Sequence, residues 1–351
     1  MVWAPVVRAP VVTVLEVRAP VVRATAVNVT AVGVHILDVL GRPVETIPPG
    51  QGSARLAEIR ATAAGTAAGT AVDLAKLGAN VRTFGALGDD LLADILTLAM
   101  ARCDTSGLVR KAGVQTSATI LPIRPNGERP ALHVPGASRQ LRLADIDLAA
   151  AGDCDALLLG GPDALAGLSS ADLAAIVTAA KNGGALVVID VLHPGSPRDF
   201  ERLTAAVALA DWFCPNRDQL LALTGRETLD AAIADVLALG TGGVAVTLGA
   251  EGCVLATAAA GLCPVPAIDV EVVDTTGCGD GFDAGFVTGL LLGCPPADAA
   301  WLGVACGSLV ATGLGSDAGI ESLAQVLNFL REAEPEIAER IGALRTKEPR
   351  A

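Results

Sequence analysis

The chain has 351 residues, 52% hydrophobic and 18% charged, enough to bury one large α/β domain or two smaller ones. Thirty-eight acidic against twenty-five basic residues give a net charge of −13, the wrong sign for a protein that grips nucleic-acid phosphates, although backbone amides can still bind a small anion locally. Eight cysteines without a C-x-x-C pair, and three histidines (His35, His133, His193) far apart in sequence, argue against a zinc or redox centre and for reduced thiols in a cytoplasmic protein. The most apolar run, around Phe282–Leu292, is broken by glycines and reads as a buried helix, so no membrane span is predicted.

In chain order, residues 1–26 repeat an APVVR-like unit in which Pro5, Pro10 and Pro20 forbid a continuous helix, and no secretory signal is visible. The segment is expected to be a disordered extension, or a start codon assigned too early, outside the fold. From Val27 the pattern becomes regular. VNVTAVGVHILDVLG predicts a β-rich run whose first strand closes at Asp38. AAGTAAGTAVDLAKLGA (63–79) predicts an Ala-rich helix, VRTFGALGDD a strand ending in a Gly-Asp-Asp turn, and LLADILTLAM another helix. DALLLGG (155–161), ALVVID (185–190), DWFCPN (211–216) and GVAVTLG (243–249) read as short apolar strands separated by amphipathic helices. That alternation predicts a parallel sheet covered on both faces. Residues 42–63 and 116–134 alternate instead and carry turn signals, notably Asn126-Gly127, so they predict a small β-layer. It would close over the carboxyl edge of the main sheet, where open α/β sheets bind ligands.

VVDTTGCGDGFDAGFVTGLLLG (272–293) reads as strand, glycine turn and helix in succession. Gly277, Cys278 and Gly279 fall where strand becomes helix, so several unpaired N–H groups point outward together and, with the helix dipole, form an anion site. Asp280 would repel a phosphate there unless it took a proton from a substrate hydroxyl; taken alone, it reads first as a plain N-cap.

These residues do not stand alone. DTTGCGDGFDAGF resembles the C-terminal signature D-T-x-G-A-G-D-x-F of the ribokinase-like (PfkB) carbohydrate kinases. In the same order, AAGTAAGTAVDLAKLGANV resembles the N-terminal glycine signature, GALGDD the G-x-x-G-D-D turn, and PGAS the P-G-A-N element. CPNRDQLLALTG is similar to P-N-x-x-E…L-T-G, and VAVTLGAEGCVL to the nucleotide strand. The resemblance covers about residues 27–332. It implies a three-layer α/β/α fold with a mostly parallel sheet and a small β-sheet lid, the lid segments being about 38–63 and 116–134, with 333–351 a C-terminal helix and tail. It implies an ATP-dependent, Mg2+-using kinase acting on a hydroxyl of a sugar or sugar-like molecule, with a nucleoside or vitamin-like alcohol, or a non-catalytic sensor, as alternatives.

By that resemblance Asp280 is the base and the amides of Gly277, Cys278 and Gly279 are the anion hole. Asp38, Gly65 and Thr66 would bind the substrate, and Asn216, Thr247, Gly249 and Gly252 the nucleotide. Asp274, Thr276 and Gly315 would help hold a monovalent cation such as K+, although Asp274 is equally readable as a turn residue. Asp89 and Asp90 read as a solvated turn. Three positions depart from the pattern. Gly69 replaces an asparagine that contacts sugar, Gln219 replaces an acid, and Cys278 replaces an alanine. The lid edge suggests a homodimer.

Overall fold

In the computed structural model, residues 27–345 are described. The repeat-bearing segment 1–26 and the last six residues lie outside the described residues. The first half runs β1 (Asn28–Gly33), β2 (Ile36–Arg42), β3 (Glu58–Ala64), α1 (Thr66–Lys76), β4 (Asn80–Gly88), α2 (Leu91–Ala99), β5 (Asp104–Lys111), β6 (Ala118–Pro122) and β7 (Leu132–Val134). It continues with α3 (Leu148–Gly152), β8 (Ala156–Gly160), α4 (Ser170–Asn182), β9 (Leu186–Asp190), α5 (Pro197–Val207), β10 (Trp212–Phe213), α6 (Arg217–Thr224) and α7 (Leu229–Ala238). The last part holds β11 (Gly243–Thr247), β12 (Cys253–Thr257), β13 (Gly261–Val265), α8 (Cys278–Leu291), α9 (Pro296–Ala311), α10 (Leu323–Ala333) and α11 (Pro335–Arg345).

Nine strands form one sheet in the order β13-β12-β11-β10-β9-β8-β1-β4-β5, parallel except where β12 pairs with β11 and β13. Alternation along each strand splits the core in two. Val29 and Ala31 of β1, Leu158 of β8 and Val188 of β9 face α1, α8, α9 and α10. Val32, Leu157, Leu159 and Ile189 face α4 to α7. A strand buried on both faces cannot afford polar positions, which is why these segments read as unbroken apolar runs.

The second sheet has the order β3-β2-β6-β7. The Asn126-Gly127 hairpin connects β6 to β7, with Arg124 and Glu128 bonded across it. Direct cross-strand partners Val39, Ile120 and Leu132 share its outer face; Asp38, Thr119 and His133 share the inner one. The lid expectation holds, with three local corrections. The run after Val27 is two strands in different sheets, separated at Val34–His35, so Asp38 is the third residue of lid strand β2 and does not close the first strand. Within 42–63 only Glu58 onward is strand, and Ala63 and Ala64 end β3 instead of starting a helix. Residues 266–276 form no strand before α8; that stretch is irregular and is tied to the end of α9 by Val273 N–H donating to Ala311 O (2.8 Å). One-dimensional patterns miss such switches because a two-residue break leaves apolar alternation intact.

Candidate active site

Two adjoining cavities open beyond the carboxyl ends of β9, β10 and β11. One, of about 430 Å³, lies under the lid and is lined by Asp38, Gly65, Thr66, Thr119, Asp190 and Asp280, among others. The other, of about 580 Å³, is lined by Thr247, Gly249, Gly252, Asp218, Cys278 and Gly307, among others. Asn216, Thr247, Thr275, Gly279 and Arg129 border both, so the N-terminus of α8 stands at their junction.

That terminus is built by glycine geometry. Gly277 caps α8 at φ 78°, a left-handed conformation, and a Cβ there would sit 2.3 Å from Ser316 Cα, so no other residue fits without backbone movement. Gly281 N–H closes the first helical turn on Gly277 O (2.8 Å), and Cys278 N–H reaches back to Thr275 O at 3.4 Å. The N–H groups of Gly277, Gly279 and Asp280 have no partner among the described residues. Of the three amides expected in the anion hole, Cys278 is therefore the one partly engaged, and Asp280 supplies a further free donor. Burial pushes the Cys278 thiol up to about 12, so it is a neutral, inert side chain.

The Asp280 carboxylate makes no hydrogen bond among the described residues and faces the lid-side cavity. Its pKa is raised to about 7, chiefly by loss of hydration and then by the charge of Asp38, with Arg129 opposing the rise. It is not a helix cap: the cap position is Gly277. Gly69, on α1, lies directly against it, and a Cβ there would stand 2.5 Å from Asp280 Oδ2. The missing side chain at 69 is thus the space the carboxylate occupies.

Asp38 is buried, Oδ1 has no partner, and desolvation lifts its pKa to about 6. Gly65 caps α1 at φ 81°, with Thr66 buried beside it on the cavity wall. On the other side, Gly249 and Gly252 shape a tight turn in which Leu248 N–H donates to Gly252 O (2.8 Å). Asn216 Oδ1 caps α6 by accepting Gln219 N–H (2.9 Å), and Gln219 returns the bond, its Oε1 accepting Asn216 N–H (2.7 Å). Gln219 Nε2 also donates to Val191 O (2.9 Å), a bond that an ionised acid cannot make. Asp274 is fully buried: Oδ1 accepts from Thr276 N–H (3.0 Å) and Oγ1 (2.8 Å), and Oδ2 accepts from Gly315 N–H (3.0 Å). Asp89 and Asp90 line neither cavity; Asp90 caps α2 and accepts from Thr116.

Several site residues carried no sequence signal. Arg129 follows the lid hairpin and donates from Nε to Thr275 Oγ1 (3.2 Å). Asp190, at the end of β9, neighbours Asp283 of α8, one turn beyond Asp280; desolvation pushes both carboxyls well up, with the charges of Asp283 and Asp280 adding to the rise at Asp190 and that of Asp280 at Asp283. His133 and His193, distant in sequence, meet on the same cavity wall.

A mostly parallel sheet and a small β-lid thus place the N-terminus of α8 and the unpartnered Asp280 carboxylate at the junction of the two cavities. The family model for pfkB family carbohydrate kinases matches residues 28–323, and the chain belongs to that family. It is 28% identical over 281 residues to a ribokinase of Haemophilus influenzae, covering 77% of this chain and 87% of that protein. Arabidopsis thaliana ribokinase, solved with ribose and ATP, superposes with a TM-score of 0.73 at 23% identity, covering 88% and 99% of the two chains. An Escherichia coli ribokinase II with ATP and Mg2+ gives a TM-score of 0.74 at 21% identity, covering 88% and 100%. The chain is an ATP-dependent sugar kinase acting on small-molecule sugar substrates.

Proposed function

We propose that Asp280 is the general base and that the Gly277, Gly279 and Asp280 amides hold the transferring phosphoryl group. The observation that supports this reading is the coincidence, at one junction of two cavities, of three unpartnered N–H groups and an unpartnered carboxylate. An acceptor hydroxyl in the lid-side cavity, where Asp38, Gly65 and Thr66 bind it, gives its proton to Asp280 as its oxygen attacks the γ-phosphorus. The bond to the ADP oxygen breaks, and the charge spread over the phosphoryl oxygens meets the amides and Arg129. A pKa near 7 makes Asp280 a stronger base than an exposed aspartate while leaving much of it ionised.

ATP fits the second cavity, along Asn216, Thr247 and the Gly249–Gly252 turn. Mg2+ arrives with the nucleotide. Because the side-chain oxygens of Asn216 and Gln219 accept each other's N–H, Asp218 is the remaining charged oxygen donor of that trio on the cavity wall. Asp274 has no ion-pair partner among the described residues, so a K+ ion beside Asp274, Thr276 and Gly315 would balance its charge and stiffen the turn before α8.

A sugar is favoured over a heterocyclic alcohol because, among the described residues, no Phe or Trp lines the lid-side cavity to stack on a base. The outer lid face leaves Ile59, Ile120 and Leu132 each at least 59% exposed, an apolar patch suited to a second copy of this chain in a homodimer. Eight free cysteines suit the cytoplasm.

The deciding experiment measures sugar-dependent ADP release by the wild type and Asp280→Asn, alongside nucleotide titration. Undiminished turnover in the variant would sink the base assignment; ADP release indifferent to every sugar would sink the acceptor reading.

A further inference from the structure

Building on the kinase reading above, we propose that the acceptor is an uncharged polyol and that the cavity rejects acceptors bearing a phosphate or carboxylate. The lid-side cavity is walled by carboxylates from three separate elements: Asp38 on β2, Asp190 on β9 and Asp280 on α8. Asp38 is 6% exposed and Asp190 7%, and Asp38 Oδ1 has no hydrogen-bond partner among the described residues. Behind them Asp283 is buried with Oδ2 unpartnered. These groups raise one another: the charge of Asp38 acts on Asp280, and that of Asp280 on Asp190 and Asp283. The wall is thus short of positive charge before any ligand enters.

The cations on this wall are already committed. No lysine lines the cavity, and Arg129 is its one arginine among the described residues. It borders both cavities, is bonded to Thr275, and its charge acts on Asp38 and Asp280. There it serves the phosphoryl group in transit. His133 shares a hydrogen bond with Thr119 Oγ1 (3.0 Å), and burial together with the neighbouring His193 lowers its pKa, leaving it neutral at pH 7. His193 is raised by Asp163, whose carboxylate pairs with it at 3.1 Å and cancels its charge.

An anionic group on the acceptor would lose its hydration among like charges with no free cation to receive it. Neutral hydroxyls do the opposite: each donates to a carboxylate oxygen that otherwise goes unsatisfied. The selectivity therefore comes from repulsion as much as from attraction.

The test pairs turnover with binding on the full chain. With ATP and Mg2+, kcat/KM is measured for D-ribose and D-fructose against ribose 1-phosphate, fructose 1-phosphate and 2-dehydro-3-deoxygluconate. Calorimetric titration of the same compounds is run with a non-hydrolysable ATP analogue. The neutral sugars should lead by about 100-fold or more in both. Asp190→Asn should narrow the gap by about tenfold, chiefly through better use of the anionic compounds. Anionic acceptors bound as tightly as neutral ones, or no neutral polyol bound at all, overturns the selectivity whatever the turnover. Neutral sugars bound preferentially but never phosphorylated would leave the selectivity standing and remove the kinase assignment for this site.

Discussion

Asp274 and Asp280 stand on one short segment, and the structure treats them in opposite ways. Asp274 is enclosed, with both oxygens accepting hydrogen bonds from Thr276 and Gly315. Asp280 has no hydrogen-bonding partner among the described residues and opens on a cavity. The first is a brace that joins the turn before α8 to the 311–316 loop. The second keeps a raised pKa, because no hydrogen-bond donor among the described residues meets its carboxylate and the charge of Arg129 offsets the desolvation only in part. What separates a structural carboxylate from a chemical one here is the supply of donors around it.

Substitution sharpens this contrast. Asp280→Asn should lower kcat by roughly 10²–10⁴-fold, read by coupled ADP release, with nucleotide affinity nearly unchanged. Gly69→Ala comes next: its Cβ would press on Asp280 Oδ2, and moving that carboxylate should cost about 10–100-fold in kcat although alanine is the better helix former. The pH profile should follow the base. Asp280 works ionised, so kcat/KM rises by about tenfold per unit below its pKa and levels off above about pH 7; a profile flat from pH 5 to 8 in the wild type would remove Asp280 from the chemistry.

Stability should answer in the other direction. Asp274→Asn loses acceptor capacity at a buried site and should destabilise the fold by about 1–3 kcal/mol, seen as a lower Tm, whereas Asp280→Asn should not. Asp280 has a raised folded pKa, so its contribution is fully present below the unfolded value near 3.8 and is lost as pH rises through about 7. Above that pH, the asparagine variant should melt at the same temperature as the wild type or higher. The smallest effect belongs to Gln219→Glu, which sets a carboxylate against Val191 O and should cost about 1 kcal/mol in urea melts.

Reading the chain alone recovers the layered α/β body, the lid hairpin at Asn126-Gly127 and the glycine turn at 277–280. These rest on local rules: apolar runs for strands buried on both faces, a left-handed glycine, a helix start. It misplaces Asp38, because the break between β1 and β2 spans only Val34 and His35. It also supplies a strand before α8 that does not form, because the backbone there bonds to Ala311 at the end of α9 instead of entering the sheet.

The departures show where local reading ends. Gly69 looks like a lost sugar contact in the sequence, and only the packing of α1 on α8 reveals it as the space under Asp280. Gln219 looks like a lost metal ligand, and only the fold shows both ends of its amide in use. Arg129, Asp190, Asp283 and the His133–His193 pair come together from three different stretches of chain. The sequence by itself determined most of the strands and helices and the glycine turn that opens α8, since those depend on neighbours within a few residues. The tertiary structure alone decided which carboxylates meet, which find donors and which are left charged in a cavity, since burial and Coulomb interactions depend on distance through space and not along the chain.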